Sequence, residues 1–182
     1  MTQDSASPSA RRTELLEAAY RYVLDRGLTD LSLRPLAAAI GSSPRVLLFL
    51  FGSKDGLIRE LLARARADEL VLLDRLDGPV GLAAAAERLW AWAAAPEHRP
   101  LLRLWVEAYG RSLVEPDGPW AGFAKATVDD WLGVLAACDP GADPARRTLV
   151  LAVLRGAILD LLATGDTART GSALRLHLDQ LR

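Results

Sequence analysis

The sequence predicts an all-α protein of about nine helices, with a small N-terminal three-helix domain followed by a larger C-terminal helical domain. Three observations carry this prediction. Apolar residues recur at three- and four-residue spacing along most of the chain. Breaks rich in Pro, Gly, Asp or Thr separate the periodic stretches at helical lengths. No alternating strand pattern exceeds a few residues, and no internal repeat is visible.

The elements follow in order. Residues 1–9 hold Ser, Thr, Asp, Gln and Pro and read as a frayed tail. A helix is expected over 10–26, with Leu15, Leu16, Ala19, Tyr22 and Val23 as its apolar stripe and Gly27 as its C-terminal cap. Ser32 is placed to cap a helix over 33–40, which Gly41 ends. Ser43 caps a third, very short helix, with Pro44 where a missing N–H costs nothing. That helix ends near Gly52, and Ser53 opens a long fourth helix over 54–76. Asp77-Gly78-Pro79 breaks it. Further helices are expected over 80–95, 97–114, 119–137, 144–163 and 170–181. The pattern divides the chain into a head, residues 1–52, and a body, residues 53–182.

Composition narrows the function classes. With 182 residues, 51% of them hydrophobic, the chain can bury a substantial core. Its net charge of −1 gives no bulk support for nucleic-acid binding, so any basic surface is local. Cys138 is the only cysteine, which excludes an intramolecular disulfide and a cysteine metal cluster. No signal peptide is visible, and no stretch approaches the ~20 apolar residues of a membrane span. The expectation is a cytoplasmic protein without membrane contact. There is no nucleophile elbow, phosphate loop, dinucleotide fingerprint or metal-binding pair. His98 and His177 offer too few ligands for a metal and read as surface residues, His177 alternatively at an interface. The chain therefore reads as a non-enzyme with no catalytic residues, no cofactor and no metal.

The stretch from Ser32 to Leu57 is the most informative. It describes two short helices joined by a tight Gly41-Ser42 turn. Leu36, Ala37 and Ile40 face one side of the first helix, and Leu47, Leu50 and Phe51 can face the same core from the second. Ala37 is small where two helices must cross closely. This is the anatomy of a helix-turn-helix, whose second helix enters the major groove of DNA.

From about Arg11 to Leu62 the chain resembles the tetracycline-repressor (TetR) family. The segment Phe51-Gly52-Ser53-Lys54-Asp55-Gly56-Leu57 carries most of the likeness. An aromatic closes the recognition helix there, and a Ser-Lys pair opens the connecting helix. The Leu36-Ala37 pair, the Gly41 turn and the approach Gly27-Leu28-Thr29-Asp30-Leu31-Ser32 match as well.

The resemblance implies a transcriptional regulator that binds double-stranded DNA as a homodimer and responds to a ligand, most often as a repressor. Ser32 would cap its helix and touch a phosphate. Ser43, Pro44, Arg45 and Val46 would begin the recognition helix and face the groove. Lys54 would reach a phosphate at a helix N-terminus. Arg34, Leu48 and Phe49 complete the expected DNA face. The family often has Tyr or another polar aromatic at the position of Leu48, and Tyr or His at that of Leu50. Here the run from Val46 to Phe51 is wholly apolar. Such a helix can read thymine methyl groups but cannot hold a phosphate. An alternative therefore stays open: a family member with weakened or lost DNA binding that serves as a small-molecule-binding or protein-interaction module.

The body offers two further expectations. All five Trp residues, at 90, 92, 105, 120 and 131, lie in one segment. They fill a core or line a pocket for a small apolar or aromatic ligand, with Trp105, Tyr109, Phe123 and Trp131 as its candidates. Trp90 and Trp92 are two apart and point in different directions. Glu107, among apolar neighbours, is either a surface residue or a partner for a cationic ligand. Asp129 and Asp130 read as a solvated face, and Cys138 as structural. The helix over 144–163 carries apolar residues over too wide an arc for one core, which points to a homodimer. Leu149, Val153, Gly156 and Ala157 on it, with Leu174, Leu178 and Leu181 on the last helix, are the candidate interface.

Overall fold

The computed structural model describes residues 8–73 and 79–181, with side chains over 9–71 and 79–180. Among the described residues it is all helical. The helices are α1 (Pro8–Arg26), α2 (Leu33–Ala39), α3 (Pro44–Phe51), α4 (Lys54–Leu73), α5 (Leu82–Ala94), α6 (Arg99–Val114), α7 (Phe123–Cys138), α8 (Pro144–Thr164) and α9 (Thr167–Leu178). Short 3-10 turns lie at Pro96–His98 and Asp179–Leu181.

Most expected helices appear within a few residues of their sequence bounds, and the exceptions have local causes. The seventh helix begins at Phe123 rather than 119. Gly122 adopts φ +75°, a left-handed conformation that a helix cannot pass through, so Pro119 to Gly122 form a turn with Trp120 buried beneath it. The last helix begins at Thr167 rather than 170, because the Asp166 carboxylate accepts the Arg169 N–H at 2.9 Å and caps it there. The helix expected over 97–114 splits into a 3-10 turn and α6. The expected end of α4 and most of the 77–79 break fall outside the described residues.

Two apolar clusters hold the chain together. The first gathers Leu15, Val23, Leu36, Leu47, Leu57 and Leu61 from α1 to α4, and also Leu104, Trp105 and Ala108 from α6 and Phe123 from α7. The second joins α5, α7, α8 and α9 through Leu89, Trp90, Trp131, Leu135, Leu154, Ile158, Leu174 and Leu178. Helix α6 contributes to both, since Leu102 faces the second. α4 and α6 are thus the physical bridge between the head and the rest.

Polar contacts fix the same bridge. Arg64 on α4 donates to Glu17 on α1 at 2.6 Å and to Asp68, while its guanidinium lies over the Tyr20 ring. Tyr20 in turn donates to Asp68 at 2.9 Å. Burial, then the hydrogen bond to Asp68, push the Tyr20 hydroxyl well above its ordinary pKa, so it stays a donor.

Candidate nucleic-acid interface and interior polar site

Helices α2 and α3 meet at a bend of 102°. The turn between them closes with the Ser42 N–H donating to the Ala37 carbonyl at 2.8 Å. Leu36 and Ala37 from α2 and Leu47 and Phe51 from α3 are buried, so the opposite face of α3 is turned outward. That geometry is a helix-turn-helix, with α3 as the projecting helix. The outward side chains are Arg45, Val46, Leu48 and Phe49, and Phe49 is 84% exposed. Arg34 and Ser32 stand exposed at the start of α2, and Lys54 at the start of α4. Ser43 and Pro44 are half-buried at the root of α3.

Three serines were expected to cap helices, and two do. Ser43 accepts the Val46 N–H at 3.3 Å, and Ser53 accepts the Gly56 N–H at 2.9 Å. Ser32 occupies the N-cap position in extended backbone, but its hydroxyl makes no cap hydrogen bond. The reason is Pro35. A cap oxygen often takes the third N–H of a helix, and Pro35 has none. The Ser32 hydroxyl is therefore not committed to its own helix.

The corner between α3 and α4 is tight. A Cβ on Gly56 would lie 2.1 Å from the Phe51 carbonyl oxygen, so only glycine fits there. Arg12 locks the same corner from α1. It donates to the Leu50 carbonyl at 3.4 Å, pairs with Glu60 at 2.8 Å and covers the Phe51 ring.

Glu107 is half-buried, and its carboxylate is engaged within the chain. Its carboxylate accepts the Leu28 N–H and the Thr29 hydroxyl in the turn after α1. Gly27 makes this possible: its φ of +79° turns the chain, and a Cβ there would meet Glu107 Oε2 at 3.0 Å. Sequence reasoning missed this contact, because a pairing across 79 positions leaves no local signal.

A second polar group lies inside the body. Glu69 of α4 is 7% exposed and accepts the Trp131 indole N–H from α7. Burial raises its pKa to about 7, against the lowering effects of the Trp131 hydrogen bond and of the Arg155 and Arg66 charges, with Asp130 adding to the rise. Arg66 itself is paired with Asp130 through two hydrogen bonds, one of 2.8 Å. Arg155 of α8 reaches the same interior. Its Nη1 donates to the Tyr109 hydroxyl at 3.2 Å, and its guanidinium lies over the Trp105 and Tyr109 rings. Beside Glu69, Trp105 and Phe123 lies a cavity of about 10 Å³, room for about one water at most. Among the described residues no group of three His, Cys, Asp or Glu side chains could hold a metal ion.

Residues 15–61, the head with its turn and tight corner, match the family model for bacterial regulatory proteins of the tetR family. Over this stretch the chain matches the TetR family. The fold of the chain agrees with solved structures over nearly its whole length. A transcriptional regulator from Rhodococcus sp. Rha1 superposes with a TM-score of 0.79 at 19% identity, over 97% of this chain and 96% of that one. GusR from Salmonella enterica gives 0.72 at 21% identity, over 98% of both. The multidrug binding protein EbrR, solved in complex with proflavin, gives 0.66 at 25% identity, over 92% of this chain and 99% of that one. No curated protein matches the sequence.

The structure places the other expected site residues of the body as follows. Trp105, Phe123 and Trp131 are buried around Glu69, and Tyr109 is half-buried against Arg155. Of the expected interface, Leu149 and Gly156 are exposed and Val153 and Ala157 half-buried. Leu174 and Leu178 are instead in the chain's own core, because α9 has one apolar stripe and spends it on α5 and α8. Leu176, 69% exposed, is a large apolar side chain that α9 turns outward. The Leu181 side chain lies outside the described residues.

Two smaller expectations are corrected. His98 is half-buried, stacked on Trp92 at 4.4 Å, with Nδ1 at 2.7 Å from the Trp92 carbonyl oxygen. The Asp129–Asp130 pair splits: Asp129 faces solvent beside Lys125, while Asp130 ties α7 to Arg66 of α4. Ile40 and Leu50, expected to face the head core, do pack against it but stay half-buried.

Proposed function

We propose that this chain is a ligand-responsive DNA-binding transcriptional regulator, a repressor acting in the cytoplasm as a homodimer on a near-palindromic operator. Residues 1–52 form its DNA-binding head and residues 53–182 its ligand-binding and dimerisation body. The observation that carries the reading is the outward face of α3, flanked by Arg34 and Lys54, on a buried head core. Leu149, Gly156 and Leu176, exposed on α8 and α9, are candidates to meet a second copy. EbrR's complex with proflavin supports a small aromatic ligand for this fold. No single helix among the described residues is long and apolar enough to cross a membrane.

The coupling between body and head runs through α6 in this reading. Trp105 and Tyr109 on its inner side face the interior polar site, and Glu107 on its outer side holds the Leu28 turn. A ligand that shifts α6 moves the point where the head is tethered. Each of two heads then changes its spacing, and an operator read in successive major grooves about 34–36 Å apart is lost.

The second reading, an interaction module with weakened DNA binding, is favoured by the apolar exposure of Phe49 and Leu48. One experiment separates the two. Fluorescence anisotropy is recorded with fragments from upstream of the gene at several salt concentrations. A regulator binds one fragment with a steep salt dependence. Lys54→Ala weakens binding to all fragments alike, because a phosphate contact reads no bases. Arg45→Ala changes sequence preference by about 1–3 kcal/mol if its guanidinium reads a guanine. Leu48→Tyr, at a position 42% exposed, strengthens binding to any DNA by adding a hydroxyl near the backbone. No salt-sensitive binding by an intact dimer leaves the interaction module as the better account.

A further inference from the structure

Helix α8 carries a cation into the body. Arg155 uses Nη1 for the Tyr109 hydroxyl, but its Nε and Nη2 are buried with no hydrogen-bond partner. Nε–H and Nη2–H lie on one edge of the guanidinium and point the same way. The indole Nε1 of Trp105, a residue 8% exposed, is a third buried N–H without a partner. The Trp105 ring centroid lies 5.6 Å from the Arg155 guanidinium carbon. Buried donors are nearly always paired, and all three of these lack an acceptor. A parallel pair of N–H groups on a planar fork matches the two oxygens of a carboxylate.

We propose that the Nε–Nη2 edge of Arg155, assisted by Trp105 Nε1, binds the carboxylate of a small aromatic acid. The inference rests on the ligand-responsive reading and names the ligand class for it. The rings of Trp105 and Tyr109 supply the flat apolar walls that an aromatic body stacks against. The charges agree with an anion. Arg66 is already paired with Asp130, and burial weakens the ionisation of the remaining carboxylate nearby, Glu69. Among the described residues Arg155 makes no ion pair of its own, and a monoanion would supply one.

The site has to open to admit such a ligand. The adjoining cavity of about 10 Å³ is far smaller than a benzene ring, so the acid must part α6 from α4 and α8. Binding therefore displaces the helix that holds the head through Glu107.

The test uses the full-length protein. Benzoate, phenylacetate and indole-3-acetate are compared with their neutral amides, with inorganic phosphate and with proflavin as a planar aromatic cation. Binding is read by calorimetry and by tryptophan fluorescence. At least one acid binds, its amide at least tenfold more weakly, and phosphate does not compete. Arg155→Lys keeps the charge but loses the fork, and lowers acid affinity at least tenfold without changing the circular dichroism spectrum. Trp105→Phe keeps the ring and lowers it by a smaller factor, so the assignment is still decided if the Arg155 variant fails to fold. Acid and amide binding alike, effective competition by phosphate, or no binding by any of the three acids overturns the proposal. If proflavin releases DNA while no acid binds, the ligand-responsive reading stands and this assignment falls. If an acid binds through Arg155 but DNA affinity does not change, the assignment stands and the ligand-responsive reading falls.

Discussion

Both carboxylate oxygens of Glu107, on α6, lie 3.0 Å from the backbone nitrogen of Leu28, in the turn that ends α1. The contact satisfies one of the first N–H groups beyond a helix and ties the head to the body with a charge-assisted bond. Glu107→Ala leaves the Leu28 N–H without this acceptor and lowers stability by about 1–3 kcal/mol. Chemical denaturation measures it. Glu97→Ala, at an exposed position, stays within about 0.5 kcal/mol. Equal effects of the two substitutions would show that Glu107 is not a tether.

Two glycines should respond in opposite ways. Ala in place of Gly usually stabilises a helix by about 1 kcal/mol. At Gly56 the new Cβ would overlap the Phe51 carbonyl oxygen at 2.1 Å, and Gly56→Ala destabilises by about 1–3 kcal/mol. At Gly156 no atom lies within 4 Å, so Gly156→Ala is tolerated within the protomer. Gly156→Trp then leaves the fold intact and weakens self-association if α8 lies in a dimer interface. Thermal melts and light scattering at micromolar concentration, run on all three variants, decide both points.

The two head serines separate stability from DNA binding. Ser43 caps α3, so Ser43→Ala costs about 1 kcal/mol of stability. Ser32 makes no cap bond, so Ser32→Ala leaves the melting temperature unchanged. If the Ser32 hydroxyl reaches a phosphate, the same change weakens DNA binding uniformly across sequences. A drop in melting temperature for Ser32→Ala equal to that for Ser43→Ala would contradict the assignment.

Glu69 gives the fold a pH dependence with a defined sign. Burial is the main cause of its rise from an ordinary 4.5 to about 7. A carboxyl whose folded pKa is raised contributes stability that is fully present below 4.5 and is lost as pH climbs through 7. Between pH 5 and 8 the wild type therefore loses about 2–3 kcal/mol from this group. Glu69→Gln keeps an acceptor for the Trp131 indole and has no charge to expose. Denaturant melts at both pH values should show the variant gaining on the wild type as pH rises. Parallel pH profiles for the two proteins would sink the argument.

What the sequence determined by itself is what local physics writes into it. The helices follow from three- and four-residue apolar spacing, and the turn from Gly41 and Ser42. The capping serines at 43 and 53 precede their helices in the chain, so they are legible there. The outward position of Arg45, Val46, Leu48 and Phe49 follows once Leu47 and Phe51 are placed inside. The missing cap at Ser32 runs against the sequence expectation, although its cause, Pro35, lies only three residues away.

What the tertiary structure decided involves residues distant in the chain. Nothing near Glu107 marks it as the partner of Leu28, and nothing near Arg155 shows that its guanidinium ends against Trp105 and Tyr109. Glu69 reads as one more polar position on a long helix, yet it is buried against Trp131, 62 positions further on. Leu174 and Leu178 fit a partner's surface as well as their own core until α5 is placed beneath them. Periodicity reports which residues share a face of one helix. Which helix that face meets, and which buried charge it leaves to be compensated, depends on long-range packing alone.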